Sequence, residues 1–216
     1  MALILALDPS TEFGWALHRL IDEKPLVDCG TWELKTTEEK RMKRSARPGQ
    51  YFARALKAVT ELRRRFEIYD DEIQIVIENK SLNAIGNAET KHLAESWVGQ
   101  FETYAEVRGW PAPVAVGVNS WRSAFIGRSM APAEVGRGMT DTARDAARRK
   151  WIKEFTVREC VRRGLNPPDN NAADACGILF WFLVGGPVVQ EQRRANKKAK
   201  TKAKRSQMRL FGKVAA

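Results

Sequence analysis

The sequence predicts an α/β fold, with a five-stranded mixed sheet flanked by helices, and two observations support this prediction. Two strongly apolar runs, residues 2–7 and 73–77, each stop at an acidic residue, Asp8 and Glu78 respectively. Runs of this kind are typical of central strands that are buried on both faces. The segments around them alternate between strand-like and helix-like spacing in the order βββαβαβαα.

The first half of the chain supplies three strands, a helix and a fourth strand. The opening strands are predicted at about 2–8, 14–20 and 26–34, and the short polar links between them indicate an antiparallel meander. A charged stretch follows, and then apolar residues recur at helical spacing from Phe52 to Phe66. The fourth strand ends at Glu78.

The second half adds a helix at about 89–108, a fifth strand at 114–118 and a basic helix at about 141–163. The last helix is predicted to begin near Asp169 or Asn170, because both are good N-cap residues, and to end before Gly185.

Charge divides the 216 residues into a body and a tail. A chain of this length with 44% hydrophobic residues can bury one substantial core, so we predict one domain at 1–187 and a basic tail at 188–216. From Glu191 onward, ten Lys or Arg face one acid, which gives +9 of the formal net charge of +11. Such a tail is expected to be disordered and to suit a phosphate backbone, although a merely solubilising tail is the alternative.

Several classes of protein are disfavoured. The three cysteines are odd in number and widely scattered, which predicts neither a disulfide framework nor a zinc site. The apolar start, about six residues long, does not fit a signal peptide, and no run has the length of a membrane span. We therefore expect a cytoplasmic protein without a membrane partner.

Three acids are candidates for chemistry: Asp8 and Glu78 at strand ends, and Asp174 just inside the last helix. A carboxylate at the end of a buried strand is partly desolvated, which is costly unless a cation or a donor compensates. A lone Asp at a strand end is more often a cap or turn residue. The three acids together favour a divalent metal site.

At this point the chain resembles the ribonuclease H-like fold and, within it, the RuvC family of Holliday-junction resolvases, particularly the phage and prophage types. The resemblance spans most of residues 1–187 and is carried by four stretches: 5–10, 76–78, 118–127 and 169–175. It implies a crossover junction endodeoxyribonuclease of DNA recombination and repair, acting as a homodimer on four-way junctions.

The resemblance also implies that Asp8, Glu78 and Asp174 hold Mg²⁺, two ions per site, with Mn²⁺ able to substitute. The family commonly has Asp or His three residues before the final Asp, whereas this chain has Asn171. An amide oxygen can ligate a metal but cannot accept a proton at neutral pH. We expect a weakened but active site, in which Asp169 could take over part of the role.

Three alternatives remain beside the resolvase. One is a less selective flap or branched-DNA nuclease, and another is a non-catalytic branched-DNA-binding protein. An actin-like ATPase is suggested faintly by the turn at residues 8–11, but the chain lacks the second glycine-rich phosphate loop and the length of that fold.

Basic residues at three places are predicted to contact DNA. Lys80 and Lys150 are the candidates to meet the scissile phosphate, although a lysine at such a position is more often an ordinary surface cation. The predicted contacts are Lys80, Arg144, Arg148, Arg149, Lys150, Lys153, Arg193, Arg194, Lys197 and Lys198.

The tail also resembles the short peptide by which bacterial DNA-processing proteins bind the replication sliding clamp. The segment offers Gln207, Met208, Leu210 and Phe211 to an apolar groove. A chance match or a small terminal helix is the alternative, because five residues is a short motif.

Overall fold

The computed structural model describes residues 3–21, 24–42, 46–68, 72–79, 88–192, 195–196 and 198. Its elements, in chain order, are β1 (Leu3–Asp8), β2 (Glu12–Ile21), β3 (Lys24–Glu33), α1 (Thr37–Arg41), α2 (Pro48–Arg65), β4 (Ile73–Glu78), α3 (Ala88–Arg108), β5 (Val114–Val116), α4 (Val118–Phe125), α5 (Asp141–Arg162) and α6 (Asn170–Leu183).

The five strands form one mixed sheet in the order β3-β2-β1-β4-β5. β1 and β2 pair antiparallel, as do β2 and β3, which confirms the predicted meander. β4 runs parallel to β1, and β5 runs parallel to β4. The sheet therefore has the mixed, five-stranded, α/β architecture that the sequence predicted.

Both faces of the sheet are covered, which explains why β1 and β4 are apolar throughout. Leu5 and Leu7 belong to a core shared with α2 and α3, where Trp97 and Phe101 are buried. Ala6 belongs to a second core, on the other face, shared with α4, α5 and α6. Because successive side chains of a strand point to opposite faces, each strand divides its residues between the two cores.

The three cysteines belong to this second core, where β3, α5 and α6 meet. Cys29, Cys160 and Cys176 are free thiols, and the Cys160 thiol lies 3.7 Å from the carbonyl oxygen of Ala173. Hydrogen bonds with Cys160 and Cys29, together with burial, raise the pKa of the Cys176 thiol. Cys176 therefore acts as a neutral packing residue.

Neither α1 nor α4 was predicted. α1 forms inside the charged stretch, where Thr36 and Glu39 make a capping box. β5 ends at Val116 and not at residue 118 as predicted, because α4 begins directly after it. α4 buries Trp121 and Phe125, which lie one turn apart.

A further helix, Gly186–Gln192, crosses the predicted domain boundary at residue 187. The predicted tail beyond residue 198 lies outside the described residues. Within the described ranges, no single helix is long and apolar enough to cross a membrane, although α6 and Gly186–Gln192 satisfy that test as a bent pair.

Candidate active site

Asp8 and Glu78 stand at the same end of two neighbouring parallel strands. Leu7 is in register with Ile77, so the next residues along each strand, Asp8 and Glu78, are also neighbours. Parallel strands lie about 4.8 Å apart, which brings the two backbones within reach of one bound group. The two acids are 3% and 6% exposed.

Strand alternation sets the direction of these two side chains. Asp8 lies two residues after Ala6, and Glu78 lies two residues after Val76. Ala6 and Val76 both pack into the core shared with α4, α5 and α6. Asp8 and Glu78 therefore project towards the same helical layer.

Asp174 enters that layer from α6. It is 8% exposed, and Ala173 and Cys176 on either side of it pack in the same core as Ala6. α6 lies across the first four strands. All three predicted acids are therefore buried in the region where α6 covers the sheet.

The three carboxylates share a layer without forming a compact ligand cluster. Among the described residues, no group of three or more His, Cys, Asp or Glu side chains could hold a metal ion as arranged here. The donor set nevertheless fits a hard divalent cation by its chemistry, because Mg²⁺ prefers carboxylate oxygens.

Gly14 lets α6 approach the sheet beside Asp8. Gly14 is paired with Asp8 in the ladder between β1 and β2. A Cβ atom at position 14 would lie 2.1 Å from the carbonyl oxygen of Asn171 and 3.3 Å from the amide nitrogen of Ala172. Any larger residue would therefore push the start of α6 away from the end of β1.

Asp169 is the N-cap of α6. Its Oδ1 accepts hydrogen bonds from the backbone N–H groups of Asn171 and Ala172, both at 2.9 Å. The Thr31 hydroxyl of β3 donates to the same oxygen at 2.7 Å. Asp169 therefore ties the first turn of α6 to the sheet, and this role accounts for an acid at that position.

Asn171 contacts a residue that the sequence did not single out. Its Nδ2 donates to Oε2 of Glu12 at 3.3 Å. Glu12 begins β2 and lies two residues before Gly14, on the same face of the strand. The available signal was its position just after the turn that follows Asp8.

Trp121 is the second residue that sequence reasoning missed. Its indole Nε1 donates to Oε2 of Glu78 at 3.1 Å, and the side chain is fully buried. A hydrogen bond to a buried carboxylate is a strong one, and it fixes the carboxylate's orientation. Gly177 of α6 makes room for the ring, since a Cβ atom there would lie 2.7 Å from it.

The predicted DNA-contacting residues of α5 precede or flank its buried face, which begins at Ile152. Arg144 is paired with Asp141, Arg148 donates to the Val135 carbonyl at 3.3 Å, and Lys150 lies 3.8 Å from Glu154. Arg149, Lys153 and Lys198 are exposed. The remaining predicted contacts lie outside the described residues: Lys80, Arg193, Arg194, Lys197, and the clamp-motif residues Gln207, Met208, Leu210 and Phe211.

No protein-family model and no curated protein sequence matches this chain. Among solved structures, the chain is similar to Thermus thermophilus RuvC, with 18% identity over 85% of this chain and 96% of that one, at a TM-score of 0.48. An Aquifex aeolicus member of the Ppx/GppA family shows 11% identity over 58% of this chain and 39% of that one, at 0.33. An exopolyphosphatase from Cytophaga hutchinsonii shows 10% identity over 57% and 36%, at 0.29. By its sheet order and flanking helices, the chain is an α/β protein with one five-stranded mixed sheet.

Proposed function

We propose that the protein is a Mg²⁺-dependent, structure-selective endonuclease that cleaves four-way DNA junctions by phosphodiester hydrolysis. The observation that supports this proposal best is the placement of three acids. Asp8 and Glu78 end adjacent parallel strands and project towards the layer that Asp174 enters from α6.

The chain's own residues would bind and orient the reacting groups. Asp8, Glu78 and Asp174 supply oxygen ligands, and Trp121 holds one oxygen of Glu78. Divalent cations bound there would lower the pKa of an attacking water and neutralise charge on the leaving oxygen. Asn171 adds a neutral amide at the start of α6, which can donate or accept a hydrogen bond but cannot take up a proton.

The charge distribution supports a nucleic-acid substrate. The last 26 residues carry +9 of the net +11, and α5 exposes Arg149 and Lys153. We propose that these cations bind the DNA backbone. We further propose that two copies form a homodimer suited to the two-fold symmetry of a junction. Segment 207–211 is proposed to bind a bacterial sliding clamp.

Two further candidates remain. Asn171 stands where a proton acceptor is common in the family, which favours a branched-DNA-binding protein without catalysis. A less selective flap nuclease would use the same carboxylates, since junction preference depends on the geometry of a dimer and not on the site.

The test is cleavage of end-labelled four-way junction, flap and linear duplex in Mg²⁺, Mn²⁺ or EDTA. The variants are Asp8→Asn and a matched control, Asp28→Asn, which alters a half-buried carboxylate on β3 that pairs with Arg65. We expect paired nicks in the junction that disappear in EDTA and in Asp8→Asn but persist in Asp28→Asn. Binding without cutting in either metal would contradict the nuclease and favour the non-catalytic candidate. Equal cutting of flap and junction would favour the less selective nuclease.

A further inference from the structure

We propose that Glu12 is a positioning residue of this site, which orients the Asn171 amide so that its carbonyl oxygen faces the carboxylate layer. The inference rests on the proposed function, because it assigns a role to position 171 within the same site. It concerns a contact between residues 159 positions apart, at the start of β2 and the start of α6.

The backbone on both sides of this contact is fixed. Glu12 opens β2, and its N–H is 3.2 Å from the Ser10 hydroxyl, which itself donates to the Glu12 carbonyl at 2.6 Å. Asn171 is held by its N–H bond to Asp169 and by the close approach of its carbonyl to Gly14. The freedom left at this contact is therefore that of the two side chains, Asn171 and the exposed Glu12.

Glu12 selects one of the two orientations of that side chain. An ionised carboxylate only accepts hydrogen bonds, so it must meet the NH₂ group of Asn171 and not its oxygen. The opposite orientation would place two acceptors against each other without a proton between them. The amide oxygen consequently points away from Glu12, where it can bind a cation or accept a hydrogen bond from water.

The same contact explains why an amide and not an acid suits position 171. An Asp at 171 would put a second carboxylate next to Glu12, and like charges at this distance disfavour each other. Glu12 and Asn171 therefore act as a matched pair. An acid at 171 is expected to be tolerated only when Glu12 is neutral.

A thermal double-mutant cycle in EDTA tests this coupling without relying on activity. The proteins are the wild type, Glu12→Gln, Asn171→Asp and the double variant. We expect Asn171→Asp to lower the Tm by about 2–4 °C and the double variant to recover most of that loss. Glu33→Gln with Asn171→Asp is the control, because Glu33 pairs opposite Glu12 in the ladder but contacts Lys40 at 2.7 Å.

A second measurement tests the positioning role itself. Mn²⁺ binding to the full-length protein without DNA, followed by electron paramagnetic resonance, should weaken about twofold in Glu12→Gln and stay unchanged in Glu33→Gln. Gln can meet either orientation of the amide, so about half of the molecules would present the wrong one. An additive Tm cycle, rescue by Glu33→Gln, or wild-type Mn²⁺ affinity in Glu12→Gln would each overturn the inference alone. A wild-type protein that binds no Mn²⁺ would instead overturn the proposed function, and the inference with it.

Discussion

Gly14→Ala should show whether the close approach of α6 to the sheet aligns the carboxylates, as distinct from stabilising the fold. The added Cβ atom would lie 2.1 Å from the carbonyl oxygen of Asn171, whereas real Cβ contacts essentially never fall below 3.0 Å. β2 cannot yield easily, because it is paired on both sides, with β1 and β3. The start of α6 must therefore move by about 0.9 Å or more, which is the difference between those two distances. We expect a loss of about 1–3 kcal/mol in the free energy of unfolding.

The larger effect should fall on cleavage. Asp174 lies within the first five residues of α6, so it moves with the helix relative to Asp8. A misplacement of about 1 Å in a catalytic site can cost about 10²-fold in rate. Single-turnover junction cleavage and urea unfolding of the same preparations would measure both effects.

Gly30→Ala is the matched control for this experiment. Its Cβ atom would lie 2.8 Å from the Trp15 side chain, in the core on the opposite face of the sheet from α6. It should destabilise the fold without moving the start of α6. If Gly14→Ala cleaves junctions as fast as Gly30→Ala at 20 °C, while both are fully folded, the argument that the approach of α6 aligns the acids is refuted.

Three further outcomes are expected. Trp121→Phe removes the donor to Glu78 and should lower the free energy of unfolding by about 1–3 kcal/mol, as measured by urea titration. An unchanged free energy would mean that the hydrogen bond does not hold the carboxylate. The hydrogen bond from Arg54 lowers the pKa of Glu39 to about 2. The stability difference between wild type and Glu39→Gln should therefore be constant above about pH 5 and disappear as the pH falls towards 2. Thermal unfolding across that pH range would check this. Removing residues 188–216 should reduce the slope of log affinity against log salt for junction binding, measured by fluorescence anisotropy, and an unchanged slope would exclude the tail from the DNA interface.

The sheet could be predicted from sequence because its central strands are buried on both faces and their composition records that burial. β1, α2 and α6 are each long enough for their apolar residues to show a pattern. α1 and α4 contain five and eight residues, which is little more than one or two turns. A helical period cannot be recognised over so short a stretch, and α4 therefore escaped prediction.

Some residues of the candidate site could be predicted from the sequence and others could not. Asp8, Glu78 and Asp174 are marked by their positions along the chain, and Asp169 is marked by the helix start it caps. The contacts of Glu12 and Trp121 cannot be predicted from the local sequence, because their partners are 159 and 43 residues away. Only the strand register and the packing of the helices bring these pairs together.

These contacts distribute the alignment of the acids between two parts of the fold. The start of α6, and with it Asp174, is fixed by the meander, through contacts with Glu12, Gly14 and Thr31. Glu78 is held from the other side, by Trp121 of α4. Asp8 lies between these two supports, in the central strand that both β2 and β4 pair with. The two supports meet at α6, because Gly177 packs against the Trp121 ring. A change in the meander should therefore displace Asp174 most and Glu78 less, and a change in α4 should do the reverse.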